Sequence, residues 1–286
     1  MAKASAARAP QVDMTGKTVL ITGASHGSLG FETARALVAW GADVIVSTRS
    51  NTAATVAALG ARDGHELELS DRQSVRDFAS WFAAKHQRLD VLVNNAGIHL
   101  DLRSSWKEPN LVDGHEIHWR TNYLGTVQLT NELLPSLDGG RVVHVVSKLH
   151  ARGRNEFLFA PINPYDSWVA YGTSKLALIH HANELHKRTG IATCSLHPGS
   201  VYTHIADRGL DGHRLLSAAR KLAAPLEKRV LLSPAAGAQT SLLCATTLEL
   251  APGYYRGVRS AEPSEDAKDS TAAARLWDHT QEWLAG

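Results

Sequence analysis

Six short runs of apolar and β-branched residues recur along the chain, at 17–22, 43–47, 65–69, 90–94, 141–147 and 191–197, the third weaker than the rest. Longer Ala/Leu-rich stretches of helical period fall near 29–40, 52–59, 72–86, 113–134, 168–189 and 234–247. A strand that is apolar on both faces has to be covered on both faces, and the helix that follows each strand supplies the cover. Right-handed crossovers then wind the chain into a doubly wound parallel sheet of the Rossmann type, a three-layer α/β/α sandwich. No Pro/Gly/Ser-rich linker interrupts the 286 residues, so 14–286 are expected to form a single domain. Residues 1–13 are Ala-rich, carry Lys3 and Arg8, and lack the apolar core of a secretion signal; they are expected to form a mobile tail. From about residue 251, turn residues and a short Trp/Leu helix predict a packed C-terminal tail.

Composition removes several classes of function. A net charge of +2 gives no strong field for nucleic acid or an anionic membrane surface. No apolar run approaches the roughly 18 residues of a membrane span. Cys194 and Cys244 are far apart and no CxxC occurs, so neither a disulfide framework nor structural zinc is expected, and a reducing cytoplasmic location fits. The 15 histidines are scattered without HExxH or a His/Cys cluster, and no functional metal is expected; adjacent His180 and His181 face different ways on their helix.

In a sheet of this kind ligands bind beyond the carboxyl ends of the strands, so the residues just after each strand carry the chemistry. After the first strand, Gly23, Ala24, Ser25, His26, Gly27, Ser28, Leu29 and Gly30 open directly into a helix. Glycine lets a ligand approach the backbone, and a helix start offers free N–H groups and partial positive charge for a pyrophosphate. A tight strand-to-helix turn without a ligand is the plainer alternative. The second strand ends in Ser47, Thr48, Arg49 and Ser50. The carboxylate that would hold the ribose hydroxyls of NAD is missing there, and Arg49 suits the 2′-phosphate of NADP, so NADP is expected, with NAD as the alternative.

Tyr171 and Lys175 stand four apart on an expected helix and so share a face. A free phenol titrates near pH 10, and an adjacent ammonium is expected to lower that value by favouring the phenolate. Ser147 ends the fifth strand, where its hydroxyl can donate to a carbonyl oxygen. Asn122 sits inside an expected helix, where it can hold a water or kink the turn. Asn94, Asn95, Ala96 and Gly97 follow the fourth strand, and the short amides can fix the loop backbone. Each of these residues alone has an ordinary structural explanation.

Together, in this order, they resemble the short-chain dehydrogenase/reductases, and within them the retinol-dehydrogenase-like branch, over about residues 15–284. The segment 22–34 resembles the family's cofactor loop, 94–97 its NNAG motif, 121–125 the segment bearing its structural-catalytic Asn, and 171–175 its YxxxK motif. His197, Pro198, Gly199 and Thr203 resemble the loop beside the nicotinamide, and 237–241 also matches the branch. The resemblance implies a catalytic set of Asn122, Ser147, Tyr171 and Lys175. Tyr171 would exchange the proton, Lys175 would lower its pKa and bind the nicotinamide ribose, Ser147 would orient the carbonyl, and Asn122 would support a relay water. It implies a dinucleotide held by Gly23, Ser25, His26, Gly27, Leu29 and Gly30, by Arg49, by Glu68 and Leu69, by Asn95, Ala96 and Gly97, by Tyr171 and Lys175, and by Pro198, Gly199, Val201 and Thr203. It also implies a homodimer or homotetramer through helices near 113–134 and 168–189, with a monomer as the alternative. Three departures stand out. One extra residue, Ser28, separates Gly27 from Gly30, so the loop must bulge. Val146 replaces a serine common before the catalytic one. Glu68 stands where an Asp near the adenine is usual.

Substrate contacts are expected from Leu149, Phe157, Phe159, Trp168, Tyr202 and His204, with 151–168 as one pocket wall; ordinary core packing is the competing explanation for each. His150, near Ser147, is expected to pack the loop rather than touch substrate, and Trp277 and Trp283 to anchor the last helix. The expected function is NADP(H)-dependent hydride transfer to or from a carbonyl or alcohol of a small hydrophobic molecule. The alternative is a non-catalytic nucleotide-binding sensor or scaffold on the same fold.

Overall fold

The computed structural model describes residues 7–102, 105–137, 139–201 and 231–286. Strands β1 (Thr18–Thr22), β2 (Asp43–Thr48), β3 (Asp63–Glu66), β4 (Val91–Asn94), β7 (Arg141–Val145), β8 (Ala192–His197) and β9 (Gly253–Arg256) form one sheet in the order β3-β2-β1-β4-β7-β8-β9. Every pairing in it is parallel. Strand order reverses between β1 and β4, and a crevice opens there at the carboxyl ends, as the doubly wound topology requires. A separate antiparallel hairpin joins β5 (Leu111–Val112) to β6 (His115–Glu116).

The helices are α1 (Leu29–Ala39), α2 (Thr52–Leu59), α3 (Arg72–Lys85), α4 (Thr126–Leu133), α5 (Ser167–Thr189), α6 (Pro234–Thr246) and α7 (Ser270–Ala285). Short polar side chains cap several of them: Asp71 accepts from Gln73 N, Asp166 from Trp168 and Val169 N, and Asp269 from Thr271 and Ala272 N. One core lies between the sheet and α1 and α6, through residues such as Ile21, Val46, Leu37 and Leu242. A second lies on the other face, where Leu20, Leu92, Phe78 and Leu129 meet.

Three expectations are corrected. The third strand lies at 63–66, not 65–69, because its register sets Ile45 opposite Asp63. As an edge strand it tolerates polar residues, while Leu67 and Leu69 beyond it are buried in the second core. The helix expected over 113–134 begins as the β5–β6 hairpin, since Asp113 and Gly114 both hold positive φ (51° and 75°), the pair that a tight hairpin turn demands. It continues as a π-helical turn (Trp119–Gly125) before α4. The C-terminal tail contributes a seventh strand, β9, beside β8. Of the stretch 1–13, residues 1–6 lie outside the described residues, and Ala9 is buried and donates its N–H to Gln239 Oε1 at 3.0 Å.

Helix α7 packs along α5, with Trp277 stacked on His181 at 5.5 Å and 15° and Thr280 Oγ1 2.7 Å from the Tyr123 hydroxyl. Helix α7 thereby covers Tyr123 and His181.

Candidate active site

A cleft of about 470 Å³ lies at the carboxyl ends of β1, β2, β4, β7 and β8. It brings together Gly23, Ser25, His26, Leu29, Arg49, Glu68, Leu69, Asn95, Ala96, Gly97, Ser147, Tyr171, Lys175, Pro198, Gly199 and Val201, residues drawn from seven separate stretches of sequence. Gly27, in the loop, and Gly30, in the first turn of α1, are not among the lining residues, Asn122 is fully buried, and Thr203 lies outside the described residues.

The phosphate loop owes its shape to two residues. Ser28, the extra residue, serves as N-cap of α1: its Oγ accepts from Phe31 N at 3.0 Å and donates to Gly23 O at 3.2 Å. The bulge is thus absorbed into a capped helix start, and the loop keeps its helix N-terminus toward the cleft. Gly30 faces Asn95, and a Cβ there would stand 2.5 Å from Asn95 Nδ2 and 2.8 Å from Gly23 O. Asn95 in turn donates to Thr22 O and Gly23 O, tying the NNAG loop to the first loop. This cradle fits the pyrophosphate of a dinucleotide.

At the adenine end, Arg49 and Glu68 approach to 3.8 Å across exposed surface, a pair of little intrinsic worth that a phosphate can displace. Glu68 Oε1 accepts from Ser70 N and Oγ, which fixes the turn after Leu69. Behind it, fully buried Arg120 donates to Leu69 O at 3.0 Å. Gly125 lies against the same carbonyl, so closely that a Cβ would come within 2.0 Å of it. Trp283 of α7 sits between Arg72 and Arg120, whose guanidinium carbons lie 4.0 and 5.3 Å from its ring centre.

At the other end, α5 lays Tyr171 and Lys175 against the end of β7, where Ser147 emerges. Lys175 Nζ donates to Val145 O at 3.2 Å and lies 5.9 Å from the Tyr171 ring centre. Burial pulls this ammonium down to about 8. Burial pushes the Tyr171 phenol up to about 12, with the Ser147 hydroxyl acting the other way. Against the expectation that Lys175 lowers the phenol's pKa, desolvation is the largest influence on it, and the phenol keeps its proton at neutral pH. Asn122 sits in the π-helical turn and clamps the loop after the NNAG motif. Its Oδ1 accepts from Ile98 N at 2.8 Å, and its Nδ2 donates to Ile98 O and Ser174 Oγ.

Of the expected substrate contacts, only Leu149 lines the cleft among the described residues, and neither Phe157 nor the rest of 151–168 is part of its wall. Phe159 packs under Arg275 and His279, and Trp168 meets His99 and donates to Leu102 O. Tyr202 and His204 lie outside the described residues. His150 bridges Ser147 O and Ser264 N and so packs its loop. The wall near Tyr171 is instead built by Ile98, Leu100, Ile117, Val145, Val146 and Leu149. Sequence reasoning missed most of these because they are ordinary apolar residues whose only signal is position after a strand. It also missed His99, stacked on Tyr171 at 4.2 Å and 13°, whose signal was its place just beyond the NNAG motif. Among the described residues no cluster of His, Cys, Asp or Glu is arranged to hold a metal, and no helix is long and apolar enough to cross a membrane.

A crevice at the switch point of a doubly wound sheet, with a glycine loop at one end and a Ser/Tyr/Lys group at the other, defines a dinucleotide-dependent oxidoreductase class. The short chain dehydrogenase family profile matches residues 17–211. The chain belongs to the short-chain dehydrogenase/reductase family, in its retinol-dehydrogenase-like branch. It is 35% identical to retinol dehydrogenase 12 of Mus musculus, over 96% of this chain and 88% of that one. It is 36% identical to dehydrogenase/reductase SDR family member 13 of Bos taurus, over 96% of this chain and 74% of that one. An uncharacterized protein from Mycobacterium Paratuberculosis has a similar solved structure, with a TM-score of 0.73, 31% identity and 96% of each chain covered.

Proposed function

We propose that the protein is an NADP(H)-dependent oxidoreductase that interconverts a carbonyl and an alcohol on a small hydrophobic molecule, with Tyr171 as general acid/base. The observation that carries this reading is the meeting of Ser147, Tyr171 and Lys175 at the apolar end of a cleft whose other end is a helix-capped glycine loop. Bound there, the nicotinamide dinucleotide supplies or accepts the hydride. Gly23, Ser25, His26 and Leu29 would hold its pyrophosphate and Arg49 the 2′-phosphate. One ammonium proton of Lys175 is used on Val145 O, which leaves two donors for the ribose hydroxyls. Ser147 turns its hydroxyl to the substrate oxygen and stabilises charge as it develops. Tyr171, protonated at neutral pH by burial, holds the proton that carbonyl reduction needs.

The substrate class rests on the wall of Ile98, Leu100, Ile117, Val146 and Leu149 and agrees with relatives named as retinol dehydrogenases. The test is loss of absorbance at about 340 nm with NADPH or NADH and a series of hydrophobic aldehydes and ketones. Turnover with NADPH preferred is expected. Nucleotide binding without turnover across the series would overturn the reading in favour of a sensor.

A further inference from the structure

We infer that His99 is a positioning residue for Tyr171: its imidazole is a fixed planar wall that holds the phenol ring in its working orientation. This rests on the reading of Tyr171 as the acid/base. The two rings are nearly parallel, at 13°, with centres 4.2 Å apart. His99 is itself clamped edge-on, by Trp168 at 4.6 Å and 86° and by His118 at 5.8 Å and 73°. It is buried, and its Nε2 has no hydrogen-bond partner among the described residues, so hydrogen bonding does not explain its place.

The backbone on both sides explains why the ring cannot withdraw. Ile98 is held at N and O by the Asn122 amide. Leu100 N donates to His118 Nε2 at 2.9 Å. Asp101 O accepts from Ser167 Oγ, and Leu102 O accepts from Trp168 Nε1. His118 is fixed in turn: since its Nε2 accepts, its Nδ1 carries the proton and donates to Glu116 Oε1 at 2.7 Å. Four anchors within five residues, drawn from His118, the π-helical turn and the start of α5, thus support one ring.

The imidazole works as a neutral plate. Burial pulls its pKa down to about 4, helped by His118, Arg152 and Lys175 and opposed by Asp101, the groups that face it. Stacked aromatic pairs favour a narrow range of orientations, and a general acid loses effect when its proton is misdirected. His99 is not among the residues lining the cleft, so its influence on substrate and nucleotide passes through Tyr171.

The test uses the full chain and three variants, His99→Ala, His99→Phe and Tyr171→Phe, each shown to be folded by its melting transition. Steady-state rates are taken with NADPH and a hydrophobic aldehyde accepted by the parent. Tyrosine carrying ¹³C at the phenol carbon is incorporated, and the Tyr171 signal is assigned by its loss in Tyr171→Phe. His99→Ala should lower kcat tenfold or more while KM for NADPH stays within threefold, and the Tyr171 titration should move down toward the ordinary tyrosine value as water enters. His99→Phe, planar but without ring nitrogens, should restore kcat to within threefold and return the titration upward. Parental kcat and titration in His99→Ala, or no rescue by His99→Phe, would overturn the inference. Full turnover in Tyr171→Phe would instead remove the catalytic reading, and the titration comparison would then judge the stacking on its own.

Discussion

Helix α5 contributes to two buried polar pairs at different points along its length. Near its start, Tyr171 and Lys175 face the cleft. Further on, His181 is sealed against β7 and α7: its Nδ1 lies 3.0 Å from His144 Nε2, and Trp277 stacks on its ring. His144 Nδ1 faces Asn94 Nδ2 at 3.2 Å, and that amide also donates to Thr130 Oγ1. The amide can only donate there, so His144 Nδ1 accepts and its Nε2–H donates to His181; the pair is held neutral on both rings. Burial drives Lys175, His181 and His144 the same way, toward the uncharged form, His181 to about 3. A displaced titration therefore does not by itself mark a catalytic group. Only the first pair adjoins a cavity with a glycine loop at its far end.

The sharpest way to break this contrast is to disable each pair and compare. Tyr171→Phe should reduce kcat by on the order of 10²–10⁴, with NADPH affinity by fluorescence titration nearly unchanged. His181→Ala should leave kcat per folded molecule intact and lower unfolding free energy in urea by about 2–4 kcal/mol, since it opens a hole beside Trp277 and orphans the His144 donor. If His181→Ala lost activity instead, the sealed pair would belong to the site.

A graded effect follows from the same histidines. Their folded pKa values lie below the ordinary 6.5, so the unfolded chain takes up protons that the folded chain refuses. Their contribution is full above about pH 6.5 and declines as pH falls toward 3, and urea midpoints across that window should show it; His181→Ala should flatten the slope. The smallest expected change is at the cleft's surface end. Arg49→Asp should shift the NADPH-to-NADH ratio of kcat/KM toward NADH by about tenfold, a difference of about 1.4 kcal/mol. An unchanged ratio would remove Arg49 from phosphate recognition.

How much of this was legible in the sequence depends on the range of the forces involved. β1, α2 and α5 were readable because apolar period and capping residues act within a few positions. The hairpin at Asp113 and Gly114 carried a local signal as well, but the apolar residues around it continued a helical pattern and masked it. β9 was not readable: a four-residue edge strand with Tyr254 and Tyr255 is defined by its partner β8 across the sheet. The site residues that share a motif were found together, since glycine loops and a Tyr/Lys pair at helical spacing are local. The protonation state of Tyr171 was not, because its burial exists only once distant segments, Ser147 and His99 among them, close around the ring. The role of Asn122 as a clamp on Ile98 likewise exists only once two distant segments meet.

One contact has a practical consequence. The carbonyl of Leu69 is seated between Arg120 and the bare backbone of Gly125. The strip behind Arg49 is thereby registered to the helical layer through its own main chain rather than through the Arg49 side chain. Arg49 can then be exchanged as freely as a key on a fixed lock plate, so libraries that re-target nucleotide choice at that position should melt within a degree or two of the parent.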